Sequence, residues 1–108
     1  MDKIVLIHGD VTLHEAKKIP ATAKKIEWKH GFILERGYGI HAHTVENECE
    51  IYIDDTTGRM YLKEINEPIR LNHEEHGLQT IECPTRIVYK ELEQEFDYES
   101  MEARDTED

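Results

Sequence analysis

Long apolar runs and positive charge are both scarce in this chain of 108 residues. The longest apolar run is Ile4-Val5-Leu6-Ile7, far short of the roughly 18 residues of a membrane-spanning helix, and the N-terminus lacks the apolar region of a signal peptide. We therefore expect a cytoplasmic protein without a membrane span. Thirteen basic residues stand against 24 acidic ones, and the net charge of −11 disfavours nucleic-acid binding.

Cysteine and serine are also rare. Cys49 and Cys83 are too few for a disulfide framework and form no CxxC pair, so each is expected to be a buried core thiol, with a zinc thiolate as the alternative. Ser100, near the C-terminus, is the only serine, and neither cysteine has an adjacent histidine. Nucleophilic catalysis therefore has little support, and glycine-rich phosphate-binding motifs are absent as well.

Strand periodicity runs through almost the whole chain. The clearest element is a hairpin of CEIYID (49–54) and RMYLKEI (59–65), with the turn residues DTTG between them. EPIRLNH (67–73) then places Ile69, Leu71 and His73 on one strand face. Short strands separated by turns predict an all-β fold, either a small antiparallel β-barrel or a sandwich.

The chain has room for one domain only. We expect a single β domain over residues 1–98 and an acidic, flexible tail over residues 99–108. The composition of that tail predicts a short helix or no helix at the C-terminus.

Four of the seven histidines form two tight pairs, HAH at 41–43 and HEEH at 73–76. His41 and His43 are two residues apart, so both would face the same side of a strand. His73 lies on a core-directed strand face, and His76 follows three residues later. Two such pairs on separate strands can place four imidazole nitrogens around one ion. We therefore predict a transition-metal site formed by His41, His43, His73 and His76.

An all-imidazole ligand set suits zinc, iron, nickel, copper or manganese, whereas calcium and magnesium prefer oxygen ligands. Neutral imidazoles leave the charge of a dication uncompensated, so Glu46, Glu48, Glu74 or Glu75 are candidates to offset it. Four protein ligands would close a tetrahedral zinc site and make it structural. Three ligands and a water would leave a position for catalysis, and the sequence leaves this choice open.

Two other classes of function remain open at this point. Two imidazoles can act as general acid and base without a metal, for instance on a phosphodiester or on RNA, although the net negative charge opposes a polyanionic substrate. The acidic surface also suits an interaction module, such as an inhibitor or an adaptor. The expected partners are a small-molecule ligand, another protein, or a second copy of the chain in a homodimer formed through exposed strand edges.

The segment from His41 to Glu48 resembles the first motif of the cupin superfamily, His-x-His-x4-Glu. That resemblance implies a small β-barrel whose metal is held by two histidines, a glutamate and a later histidine, a role that HEEH would take here. The preceding glycine of that motif is missing at its usual distance.

A second resemblance covers most of the chain. HGDVTL, HAH, EIYID followed by GRMYL, and HEEH before EQEFDY are similar to a family of small uncharacterised bacterial and phage proteins. That resemblance implies a shared histidine site and names no reaction. The chain departs from the family at residues 82–86, where ECPTR replaces a proline-glycine turn.

Overall fold

The computed structural model describes residues 3–8, 11–36, 42–73 and 77–91. The strands in these ranges are β1 (Ile4–His8), β2 (Val11–Glu15), β3 (Lys24–Ile26), β4 (Phe32–Arg36), β5 (Ala42–Val45), β6 (Cys49–Asp54), β7 (Arg59–Glu64), β8 (Arg70–His73), β9 (Gly77–Thr80) and β10 (Ile87–Glu91). Within the same ranges no helix is long and apolar enough to cross a membrane. The predicted tail, residues 99–108, lies outside the described residues.

The strands form two antiparallel sheets. The larger sheet has the order β1-β2-β10-β7-β6-β3 and the smaller has the order β4-β5-β8-β9. The chain passes between the sheets after β3, β5, β7 and β9, so the two layers enclose one core between them. The predicted all-β antiparallel fold is therefore confirmed in its sandwich form, and the described strands do not close into a barrel.

The predicted hairpin forms the centre of the larger sheet. β6 pairs with β7 with Ile51 opposite Leu62, and both side chains are fully buried. Gly58 ends the connecting turn with φ of 70°, a left-handed conformation that glycine adopts without a Cβ clash. Alternation along these strands sends every second side chain into the space between the sheets. The buried core residues there are Val11, Leu13, Leu34, Val45, Cys49, Ile51, Ile53, Met60, Leu62, Ile69, Leu71, Ile81, Cys83 and Val88.

A second apolar cluster lies on the outer face of the larger sheet. Tyr61 and Tyr89 face each other across β7 and β10, with ring centroids 5.6 Å apart, and both are buried. Residues 16–23 join β2 to β3, which are separated in the sheet by β10, β7 and β6. Ile19 of this connection packs against the tyrosine cluster. The connection therefore adds a partial third layer over the sheet.

Hydrogen bonds of Asn47 connect the corner between β5 and β6 to the residues at the start of β8. Its side-chain amide donates a hydrogen bond to the Pro68 carbonyl at 2.8 Å, and its side-chain oxygen accepts one from the Arg70 backbone N–H at 2.8 Å. The Glu46 N–H donates to the Arg70 carbonyl at 2.9 Å. These bonds satisfy backbone groups at the corner and set how β5 lies against β8.

The turn before β10 contains a strained residue. Arg86 has φ of 65°, a left-handed conformation that costs a residue with a Cβ roughly 1–2 kcal/mol. This position lies within the segment where the family resemblance implies a proline-glycine turn.

Arg86→Gly is expected to raise the free energy of unfolding by about 0.5–1 kcal/mol, because glycine relieves the strain while its flexibility in the unfolded chain offsets part of the gain. Urea denaturation measures this change. Glu82→Gly, at an exposed position without positive φ, is the control and should lower stability. A destabilised Arg86→Gly variant would contradict the assignment of strain to this backbone.

Candidate functional site

The pairing of β5 with β8 positions the candidate site. Thr44 lies opposite Asn72, and Val45 lies opposite Leu71. Continuing this antiparallel register by one residue sets His43 opposite His73. Because side chains alternate along each strand, the two histidines share the inner face with Val45 and Leu71, at the strand ends away from the Asn47 corner. The predicted core-directed face of His73 is confirmed.

The two imidazoles lie against each other inside the sandwich. The ring centroids of His43 and His73 are 4.4 Å apart, and the ring planes are inclined by 29°. His43 is 1% exposed and His73 is 5% exposed. One histidine from each sequence pair therefore meets the other in the core.

This arrangement brings two ligands of the predicted metal site side by side. Two nitrogens bound to one tetrahedral zinc ion, each about 2.0–2.1 Å from it, lie about 3.3 Å from one another. A metal lies in the plane of each imidazole that binds it, so rings stacked with their planes inclined by 29° would have to turn out of the stack to share one ion. Among the described residues no group of three or more His, Cys, Asp or Glu could hold an ion. His41 and His76, the remaining predicted ligands, lie outside those residues.

The carboxylates near the first histidine pair lie elsewhere. Glu46 accepts a hydrogen bond from the Thr44 hydroxyl at 2.7 Å, and alternation places Thr44 on the face opposite His43. Glu48, the glutamate of the cupin-like motif, is exposed. Neither carboxylate therefore lies on the face of the imidazole pair. Glu74 and Glu75, the other two candidates, lie outside the described residues.

Two further histidines lie away from the pair. His30 is exposed in the segment between β3 and β4. His14 is half-buried on β2 and stacks on Tyr89, with ring centroids 5.0 Å apart. Tyr89 belongs to the outer cluster, so His14 lies on the opposite side of the larger sheet from the core.

Sequence reasoning missed two buried charged residues, Asp54 at the end of β6 and Lys90. Lys90 is buried on β10, where it lies opposite Met60 of β7. Its Nζ lies 3.5 Å from the Glu91 carbonyl oxygen. The alternation of RIVYKE places Val88 and Lys90 on one face, and that pattern could have identified it. A lysine on the inner face is a further ionisable group of the core.

Both cysteines are buried free thiols, as predicted. Burial raises the pKa of the Cys49 thiol to about 12, and the neighbouring Glu48 and Glu50 carboxylates add to the increase. At pH 8 the thiolate fraction of Cys49 is then on the order of one in ten thousand, compared with about one in four for an unperturbed thiol.

Cys49 is therefore expected to react with iodoacetamide at least about 100-fold more slowly than a free thiol, because only the thiolate attacks. Mass spectrometry of the Cys83→Ala variant isolates this residue. The same variant unfolded in urea provides the control and should react at the ordinary rate. Equal rates in the folded and unfolded protein would contradict the burial of the thiol.

Fold and site together define a small antiparallel β-sandwich with a buried pair of stacked histidines. Residues 7–85 match the family described as a domain of unknown function, DUF8820, and the chain belongs to that family. The matched range contains both histidine pairs. No curated protein and no solved structure matches the chain. Membership in this family agrees with the resemblance to a family of small uncharacterised proteins. That the histidine pairs recur in the family, and that the family is bacterial or phage, stay predictions.

Proposed function

We propose that this protein binds one transition-metal ion through His43 and His73, with His41 and His76 completing the ligand set. The observation that carries the proposal is the stacked imidazole pair, 4.4 Å between centroids, contributed by two strands that are far apart in sequence. Both rings are buried, and each belongs to a different histidine pair of the sequence. These two ligands lie on paired strands of one sheet, which hold them at a defined separation.

The burial of the pair favours a metal over acid–base catalysis on a phosphodiester. A general acid or base must reach the proton it transfers within hydrogen-bond distance in the substrate complex. His43 and His73 expose almost no surface to a bulky phosphodiester, whereas a single ion needs only the space between the ligand nitrogens. An interaction module would give no reason for placing two histidines together in the core.

The ion would supply either structural stabilisation or a Lewis-acid position. Four imidazoles would complete a closed tetrahedral zinc site, and three would leave one position for a water or a small-molecule ligand. The neutral nitrogen donors suit zinc, iron, nickel, copper or manganese. His43 and His73 would hold the ion from the inner face of the smaller sheet in either case.

The decisive experiment is metal analysis of the full chain purified without a histidine tag. Plasma mass spectrometry should find about one ion per chain, and chelation followed by return of the ion should lower and then restore the melting temperature. Zinc, iron(II), nickel, manganese and copper should be tested separately. Absence of a bound ion, together with a melting temperature that none of the five raises, would overturn the proposal.

We also propose that the site is cupin-like in using a His-x-His strand segment, and that the protein acts in the cytoplasm. The first point rests on the spacing of His41 and His43, since Glu48 of the cupin motif is exposed here. The second is supported by the two free thiols, since reducing compartments keep such cysteines unpaired.

A further inference from the structure

The described strands leave four sheet edges, which differ in how well they are protected. β1 and β3 are the edges of the larger sheet, and β4 and β9 are the edges of the smaller one. An edge strand presents unpaired backbone N–H and C=O groups that can pair with a strand of another chain. Short length, charged side chains and bulges normally prevent such pairing.

β3 and β4 carry these protections. β3 is three residues long, and its Lys24 and Lys25 are exposed, so two copies of this edge would bring like charges together. β4 ends in Glu35-Arg36, and its register with β5 shifts between Ile33 and Glu35. Neither edge is therefore suited to accept a second copy.

β1 is the least protected edge. Its sequence IVLIH contains no carboxylate and no lysine or arginine. Ile4 is 51% exposed and Ile7 is 62% exposed, and they lie in register with His14 and Thr12 of β2. The register with β2 shifts between Ile4 and Leu6 and is regular from Leu6 to His8. Two large apolar side chains thus stand beside an unpaired strand edge.

β9 is the other edge without charge, and Leu78 on it is 57% exposed. This strand is one residue shorter than β1. Acidic residues flank both strands in the sequence, Glu75 and Glu82 around β9 and Asp2 and Asp10 around β1, so they do not distinguish the two edges. β9 is the weaker candidate because it is shorter and exposes one large apolar side chain where β1 exposes two.

We propose that β1 is the interface of a homodimer in which β1 pairs antiparallel with β1 of a second copy. A two-fold axis makes this pairing self-complementary, since each copy presents the same donors, acceptors and side chains. The two larger sheets then join into one continuous sheet, and Ile4 and Ile7 of both copies meet on its outer face.

Charge permits a second copy at this edge and opposes it over most of the surface. The chain has a net charge of −11, so most of its surface repels another copy. The strand IVLIH carries no formal charge at neutral pH, so pairing within it opposes no carboxylates, and Asp2 and Asp10 lie beyond its two ends. The interface does not include His43 or His73, so it can be tested separately from metal binding.

Ile7→Lys in the full chain is expected to weaken dimerisation at least about 100-fold, because a lysine on the edge opposes pairing with its own copy. Leu78→Lys is the matched control, since Leu78 has nearly the same exposure on another edge, and it should remain a dimer. Sedimentation equilibrium gives the dissociation constants. Circular dichroism checks the fold, and Ile4→Lys provides a second test should Ile7→Lys misfold.

Hydrogen exchange of the wild-type chain gives a direct measurement at the interface. Backbone amides of β1 should exchange faster on dilution below the dissociation constant, while those of β9 should not change. A monomeric wild-type protein would overturn the proposal. Loss of the dimer in Leu78→Lys, alone or together with Ile7→Lys, would also overturn it, because an interface confined to β1 does not depend on β9.

Discussion

His43→Gln and His73→Gln are each expected to weaken metal binding at least about 100-fold, since loss of a direct ligand should cost more than the 10–100-fold typical of residues that only support ligands. Each should also remove most of the rise in melting temperature that metal gives to the wild-type chain. Glutamine approximates the volume and hydrogen-bonding capacity of the buried imidazole, so the folded state can be kept. Isothermal titration calorimetry of the apo-proteins measures the affinities.

His30→Gln is the matched control for these variants. His30 is exposed and lies outside the sandwich core, so its loss should leave both affinity and stoichiometry unchanged. Trp28 offers a second readout, because its Nε1 donates to the Val45 carbonyl at 3.1 Å and it is the only tryptophan of the chain. Copper or nickel bound two residues away from Val45 should quench its fluorescence.

The remaining two predicted ligands separate a complete site from a partial one. His41→Gln and His76→Gln should each show a loss comparable to that of His43→Gln if all four imidazoles hold one ion. Normal binding in both variants, with losses in His43→Gln and His73→Gln, would limit the site to two imidazoles of this chain. If His43→Gln and His73→Gln bind metal as tightly as His30→Gln does, the metal proposal is wrong.

The inner faces of the strands could be predicted because alternation is a local property of the sequence. Ile51, Leu62 and Leu71 repeat at the strand period and are all buried as expected. Tyr61 alternates with the core residues Met60 and Leu62, so the same pattern assigns it to solvent. It is buried because the connection of residues 16–23 crosses the outer face, and no local pattern contains that crossing.

The meeting of His43 with His73 could be predicted only in part. HAH and HEEH indicated two same-side pairs, but which histidine faces which depends on the register between β5 and β8. Hydrogen bonds of Asn47 to Pro68 and Arg70 set that register at the corner. Such long-range pairing is specified by packing and turn geometry, which a single sequence does not show directly.

Asn47→Ala is expected to lower the free energy of unfolding by about 2 kcal/mol, because it removes two partly buried hydrogen bonds, to the Pro68 carbonyl and from the Arg70 N–H, each worth roughly 0.5–1.5 kcal/mol. The melting temperature should fall by roughly 8–16 °C in a domain of this size. Asn47→Asp retains the acceptor for the Arg70 N–H but sets a carboxylate oxygen against the Pro68 carbonyl and the Glu67 carboxylate, so it should lose at least as much stability. Asn66→Ala, at an exposed position nearby, should change stability by less than about 0.5 kcal/mol.

The same variant tests whether metal bound at the histidine pair stabilises the folded chain when the corner is weakened. Asn47 is not a predicted ligand, so Asn47→Ala should bind a full equivalent of metal at temperatures where it is folded. Saturating metal should then restore part of its lost melting temperature, since binding to the folded state alone stabilises it. The same metal should restore none in Asn47→Ala combined with His43→Gln. Equal recovery in both proteins would contradict a site that includes His43.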